Sequence, residues 1–167
     1  GDPMDRAAED IENDLENSSI TEQTAHEVYG AILLDDGIVD ATATEHHRNA
    51  IRKDRVEKHN LPANIRTGSL IYEAGSGLNL IGDGDSQFWA CAACSTELGS
   101  ATDNYKNACA REDHPVSASN PLIGAPDRFI DDEVTFRQFY CPGCGRLIDN
   151  EVAVVTDPVL ADLAVSG

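Results

Sequence analysis

Two cysteine pairs of identical spacing, Cys91-x2-Cys94 and Cys141-x2-Cys144, constrain this chain more than any other feature. Each pair is half of a clamp, and four thiolates set out this way can close a tetrahedral Zn2+ site. Forty-six residues separate Cys94 from Cys141, so a shared metal would staple two segments far apart in the chain. Such a metal is a folding element first. A site closed by four protein thiolates keeps no exchangeable position, which argues against Lewis-acid catalysis there.

The residues around each pair predict a zinc knuckle, a tight turn between two strands. Phe88 and Trp89 lead into the first pair, and Val134-Thr-Phe136-Arg-Gln-Phe139-Tyr140 leads into the second. Gly143 and Gly145 suit a tight turn because glycine tolerates positive φ, and Pro142 restricts it further. Cys91-Ala-Ala-Cys94-Ser95 lacks those glycines, so its turn is less well specified. A redox dithiol normally opens a helix, where its thiolate is stabilised. Aromatic strand-like runs before both pairs point away from that chemistry. Four sulfur ligands suit iron as well as zinc, so a rubredoxin-like electron carrier stays open on the ligand set alone.

The composition narrows the partners. Thirty acidic residues stand against 12 basic ones, for a formal charge of -18, and only Lys53, Lys58 and Lys106 are lysines. A phosphate-backbone binder needs clustered positive charge, and no basic stripe lies beside either pair. Arg137 and Arg146 read as isolated cations. No apolar run approaches the roughly 20 residues that span a bilayer. Gly1-Asp2-Pro3 reads as an addition ahead of Met4, and the N-terminus has no signal-like charge and apolar pattern. Five cysteines would leave one unpaired in a disulfide scheme, so the pairs read as a metal site in a reducing cytoplasm.

The chain divides into three parts. Residues 1–18 predict an acidic, flexible N-terminal arm in which Ile11 and Leu15 make one short amphipathic turn. Residues 19–60 predict a helical extension of two helices. Ser19-Ile-Thr-Glu22 and Thr42-Ala-Thr-Glu45 fit capping boxes, and Asp35-Asp36-Gly37 stops the first helix. The second helix runs to about His59 with a thin apolar face of Ala43, Ala50, Ile51 and Val56, so it must lie on the domain or on another subunit. Residues 61–167 predict a zinc-binding, β-rich domain. Its strand candidates are 69–72, 78–81, 134–140 and 151–156, with a turn at Gly75-Ser76-Gly77 and an extended loop over 113–128. Pro158 to Val165 reads as an apolar docking tail. The fold class is α+β: a zinc-ribbon-like β domain with an N-terminal helical extension.

No recognisable catalytic set accompanies the metal motif. Cys109 reads as a buried thiol, and His114 is the one base near it in sequence. His26, His46 and His47 read as solvated or partner-facing. Adjacent residues on a helix point to different faces, so His46 and His47 are not a metal pair. Phosphate-loop, dinucleotide-loop and H-E-x-x-H patterns do not occur.

From about Leu61 to Val165 the chain resembles the small zinc-binding, gamma-type subunit of acetone carboxylase and the equivalent subunit of acetophenone carboxylase. The residues that carry the resemblance are Cys91-x2-Cys94 with Leu98-Gly99, Asp103-Asn-Tyr105-Lys106, and Phe136-Arg-Gln-Phe-Tyr140-Cys-Pro-Gly-Cys144-Gly. Leu147-Ile-Asp-Asn-Glu151-Val and Asp157-Pro158-Val-Leu-Ala-Asp162-Leu complete it. The resemblance implies a structural Zn2+ held by Cys91, Cys94, Cys141 and Cys144. It also implies a non-catalytic place in a cytoplasmic ATP-dependent ketone carboxylase, beside large hydantoinase-like and ATPase-like subunits that carry the chemistry. No catalytic or cofactor-binding residue transfers to this chain, and neither nucleic acid nor membrane is an expected partner. The wider relatives include amide- and lactam-hydrolysing complexes. The alternative to a subunit is a zinc-ribbon adaptor for protein or nucleic-acid recognition, since ribbons serve both.

Overall fold

The computed structural model describes residues 1–75, 77–119, 124, 126–163 and 165. Three helices precede seven strands: α1 Ala8–Glu16, α2 Glu22–Glu27, α3 Ala41–His59, β1 Ser69–Glu73, β2 Leu78–Asp83, β3 Ser86–Cys91, β4 Glu97–Ser100, β5 Ala110–His114, β6 Val134–Tyr140 and β7 Leu147–Val154. The strands form two antiparallel sheets, ordered β1-β2-β3-β4 and β5-β6-β7. An N-terminal helical region followed by two sheets bears out the α+β, ribbon-like expectation.

The segment read as a flexible arm contains regular helical elements. Residues 3–5 form a 3-10 turn capped by Asp2, and α1 follows it. Its acidic composition hides a helical register in which Ile11 is fully buried. Ile11 packs with Ala25, Ala31 and Val39, and Leu15, Ile20, Tyr29 and Leu33 surround them. Asp2, in the triplet that reads as an addition, is itself buried. Its carboxylate accepts from Met4 N at 3.1 Å and from Leu147 N at 3.3 Å.

Both helix starts differ from the capping-box reading. Thr21 rather than Ser19 caps α2, accepting from Thr24 N at 3.1 Å. Asp40 rather than Thr42 caps α3, accepting from Ala43 N at 2.9 Å. Each cap satisfies an amide that the helix leaves free. Helix α2 also ends well before Asp35, because Gly30 turns left-handed at φ 62° and its N–H donates to His26 O.

Helix α3 lies on the domain, as its thin apolar face requires, but arginines hold it there. Arg48 donates to Tyr29 O at 2.8 Å and to Arg6 O at 3.0 Å. Arg52 meets Asp5 at 2.8 Å and Asp2 at 3.4 Å. Arg55 reaches Gly145 O at 3.1 Å while its guanidinium sits 4.1 Å over the Tyr140 ring. Lys58 and His59 both contact Glu112 on β5, at 2.8 and 3.1 Å. Guanidinium groups suit this task, because they bond carbonyls and stack on rings at once.

The main core lies between the sheets. Leu78, Leu80, Trp89, Leu98, Tyr105, Cys109 and Phe139 are buried together with Cys91 and Cys141. Val159, Leu163 and Val165 pack against this cluster, so the tail docks as expected. The expected strands at 69–72, 78–81 and 134–140 are present within a residue or two. The last strand starts earlier than expected, at Leu147, and ends at Val154. The loop expected over 113–128 contains short 3-10 turns at Val116–Ala118 and Pro126–Arg128, and its residues 120–123 and 125 lie outside the described residues. Ser76, in the expected first turn, also lies outside them.

Candidate metal centre

Each cysteine pair sits in the turn of one hairpin, and the two hairpins belong to different sheets. Strand β3 ends on Cys91 and returns as β4, while β6 delivers Cys141 and returns as β7. The two turns repeat one hydrogen-bond pattern. Cys91 N donates to Thr96 O at 2.9 Å and Ser95 N to Cys91 O at 2.9 Å. Cys141 N donates to Arg146 O at 2.8 Å and Gly145 N to Cys141 O at 2.8 Å. The residue after each second cysteine is left-handed, Gly145 at φ 71° and Ser95 at φ 60°. The first knuckle therefore adopts the same turn without glycine.

Gly143 serves a different need from the one the sequence suggests. Its φ is not positive. A Cβ there would lie 2.1 Å from Thr96 Oγ1, so glycine admits the first hairpin against the second. Thr96 is buried and its hydroxyl lies 3.1 Å from Cys94 Sγ. Sequence reasoning missed this residue, and no motif signals it.

The four sulfurs converge. Cys91 Sγ lies 3.7 Å from Cys144 Sγ, and Cys94 Sγ lies 3.6 Å from Cys141 Sγ. All four fall within 4.8 Å of one another. A regular tetrahedron with metal–sulfur bonds near 2.3 Å has sulfur edges of about 3.8 Å. The donor set, its spacing and its partial burial thus position a four-cysteine cluster to chelate a metal ion and suit structural zinc.

The electrostatics point the same way. Hydrogen bonds from Cys141, then Cys144, lower the Cys91 thiol to about 7. The same two partners lower Cys94 further. Cys141 moves up, held protonated by Cys144 and Cys91. Four thiolates this close cannot all be charged without a cation among them. A divalent ion held by these four cysteines would take the place of the protons that otherwise divide the cluster.

The remaining candidates stand apart from the cluster. Cys109 is buried with its thiol directed at Tyr105 O, 3.6 Å away, and burial pushes it up to about 12. His114 instead faces Glu112, 3.3 Å away. His26 and His47 stack on each other with ring centroids 5.1 Å apart. The arginines near the second knuckle are not isolated. Arg146 bonds Asp5 at 3.0 Å. Arg137 is fully buried, pairs with Glu151 at 2.9 Å, and donates to the carbonyls of Val154, Val155, Asp157 and Pro158. That one side chain pins the start of the C-terminal tail.

A second buried network reinforces the tail. The Lys106 ammonium reaches Asp149 at 2.9 Å, Asp162 at 3.3 Å and Glu151 at 3.4 Å. The Tyr105 hydroxyl has its one proton to share between two acceptors, Asp149 at 2.9 Å and Asp162 at 3.2 Å. Burial raises the Tyr105 pKa, and the two carboxylates raise it further, so the phenol stays a donor. No helix of the described residues is long and apolar enough to cross a membrane.

Comparison with known proteins agrees with this geometry. The chain is 37% identical over 86 residues to the acetophenone carboxylase beta subunit of Aromatoleum aromaticum, a match covering 50% of this chain and 67% of that protein. A family model described as the acetone carboxylase gamma subunit matches residues 66–166, a span that contains both knuckles and the tail. By that match over more than half its length, the chain belongs to the acetone carboxylase gamma subunit family.

Proposed function

We propose that this chain is a structural, zinc-bearing subunit of an ATP-dependent ketone carboxylase of the acetone/acetophenone type. Cys91, Cys94, Cys141 and Cys144 hold the zinc. Large hydantoinase-like and ATPase-like subunits carry nucleotide, substrate and chemistry, and this chain braces them. The metal-binding unit spans residues 61–167, and residues 1–60 form the helical extension laid upon it. A reducing cytoplasm keeps the four thiols available for the metal.

The observation that carries this reading is the convergence of the four sulfurs from two hairpins, inside the span that matches the family. The ionic groups near the site serve the fold: Arg137, Lys106, Arg52 and Arg55 are each bonded internally. Purification of the tagged chain from its native cells, with mass spectrometry and metal analysis of one eluate, tests the reading. Large hydantoinase-like and ATPase-like chains in fixed ratio, about one additional zinc per small chain, and ATP-dependent carboxylation of acetone or acetophenone support it. A lone zinc protein, or one bound to nucleic acid, overturns it and favours the adaptor.

A further inference from the structure

Strand β1 is the one sheet edge among the described residues that no other segment covers or bonds. It has β2 on one side and no strand on the other. All five of its residues are exposed, with Leu70 at 52%, Ile71 at 50% and Tyr72 at 63%. Alternate backbone N–H and C=O groups of such a strand point outward without a partner, a ready template for another chain. Proteins usually blunt such an edge with charge, proline or a cover.

The other three edges are managed in those ways. The β4 side is closed by the preceding segment, where Glu97 N donates to Asn64 O at 2.8 Å and Ile65 bridges Thr96. Strand β5 reads Ala-Arg-Glu-Asp-His, and its Glu112 is bonded to Lys58 and His59. Strand β7 is bound to the tail through Glu151, which accepts from Leu160 N at 3.2 Å and pairs with Arg137. Only β1 reads Ser-Leu-Ile-Tyr-Glu, with its apolar side chains in solvent. A bulge between Leu70 and Tyr72 makes Ile71 the extra residue and shifts the register there. Bulges of this kind bend a strand and re-aim its side chains.

We propose that an extended segment of one of the large subunits adds to β1 as a fifth strand. The proposal rests on the reading of this chain as a carboxylase-type subunit and names the surface through which it is held. Main-chain hydrogen bonds would supply affinity, and Leu70, Ile71 and Tyr72 would select apolar side chains at alternate positions. Charge identifies the occupant further. Glu73 closes one end of β1, and Asp83, the last residue of β2, and Asp85, in the turn after it, lie beside the other. The nearby cation, Arg66, is already bound by Asp83 at 3.1 Å and Glu97 at 3.3 Å. The incoming strand therefore has apolar residues flanked by lysine or arginine. A second copy is disfavoured, because it brings two chains of formal charge -18 edge to edge.

The test compares three tagged full-length chains expressed in the native cells: wild type, Leu70→Lys/Tyr72→Lys, and Val152→Lys/Leu160→Lys. The last replaces equally exposed apolar residues elsewhere, at 56% and 60%. Zinc content and thermal melting report folding, and the yield of large subunits identified by mass spectrometry reports docking. The β1 variant should stay folded and zinc-loaded yet recover at least tenfold less of the large subunits, with the control unchanged. Hydrogen exchange on the wild-type complex should slow the outward amides of 69–73 at least tenfold relative to the free chain. Wild-type recovery by the folded β1 variant, or unprotected β1 amides in the complex, overturns the proposal. A wild-type homodimer that the β1 variant splits assigns the edge to a second copy and overturns it too. A wild-type chain that recovers no large subunit fails at the subunit reading and takes this proposal with it.

Discussion

The equivalence of the two knuckles makes an unusual demand on Ser95. It holds φ at 60°, where Gly145 holds 71° in the other hairpin, and its side chain is exposed. A side chain in the left-handed region costs roughly 1–2 kcal/mol. Glycine avoids that strain but loses roughly 0.5–1 kcal/mol through greater freedom in the unfolded chain. Ser95→Gly should therefore stabilise the zinc-loaded protein by about 0.5–1 kcal/mol, a rise in Tm of about 1–4 °C for a chain of this size. Gly145→Ala places the opposite change at the equivalent position. Its Cβ would lie 2.2 Å from Arg52 O and 2.9 Å from Arg52 Cα, so α3 must move as well. Strain and overpacking together should cost about 2–5 kcal/mol. The assay is thermal unfolding of both variants at one fixed excess of free zinc, since metal binding shifts the apparent stability. A destabilised Ser95→Gly, or a neutral Gly145→Ala, would refute the equivalence of the turns.

Other consequences follow from the same structure. Cys141→Ser should abolish stoichiometric zinc binding and cost most of the folding free energy, because structural zinc contributes roughly 10–16 kcal/mol in small domains; metal analysis and circular dichroism read both. Arg137→Ala takes one of the two cations from Glu151, leaving Lys106, and strips several tail carbonyls of their donor, and should destabilise by about 3–5 kcal/mol. Hydrogen exchange should then accelerate first over residues 154–163. Burial raises the Asp149 pKa, but the Lys106 ammonium and the Tyr105 hydroxyl outweigh it and hold the carboxyl below its usual value. A depressed folded-state pKa means that the contribution is complete above the unfolded value of about 3.9 and is lost as pH falls through the folded one. Asp149→Asn should thus cost about 1.5–3 kcal/mol at pH 7, with the gap to wild type constant down to about pH 5 and closing below about pH 4. Urea titrations with excess zinc measure that gap.

The sequence exposed the metal centre because its information is local: each Cys-x2-Cys pair needs only a tight turn. The aromatic and β-branched run of β6 was legible for the same reason. Strand β5 was not, since Arg111, Glu112 and Asp113 lack the apolar alternation of a strand and pair only where Phe136, Arg137, Gln138 and Phe139 supply the edge. Helix α1 was hidden by its acids, and only the α2 contacts reveal what Ile11 buries against. Arg137 looked like a free cation because burial beside Glu151 depends on β6 and β7 lying side by side. Ser95 illustrates the converse, as a turn propensity overridden by the hairpin that contains it.

X-ray absorption at the zinc edge, with metal content on the same purified full-length sample, tests the central claim most directly. The account predicts one zinc for each set of Cys91, Cys94, Cys141 and Cys144, surrounded by four sulfur scatterers at about 2.3 Å with no nitrogen or oxygen ligand. A mixed sulfur and oxygen shell, iron in place of zinc, or a folded chain without stoichiometric metal would contradict it.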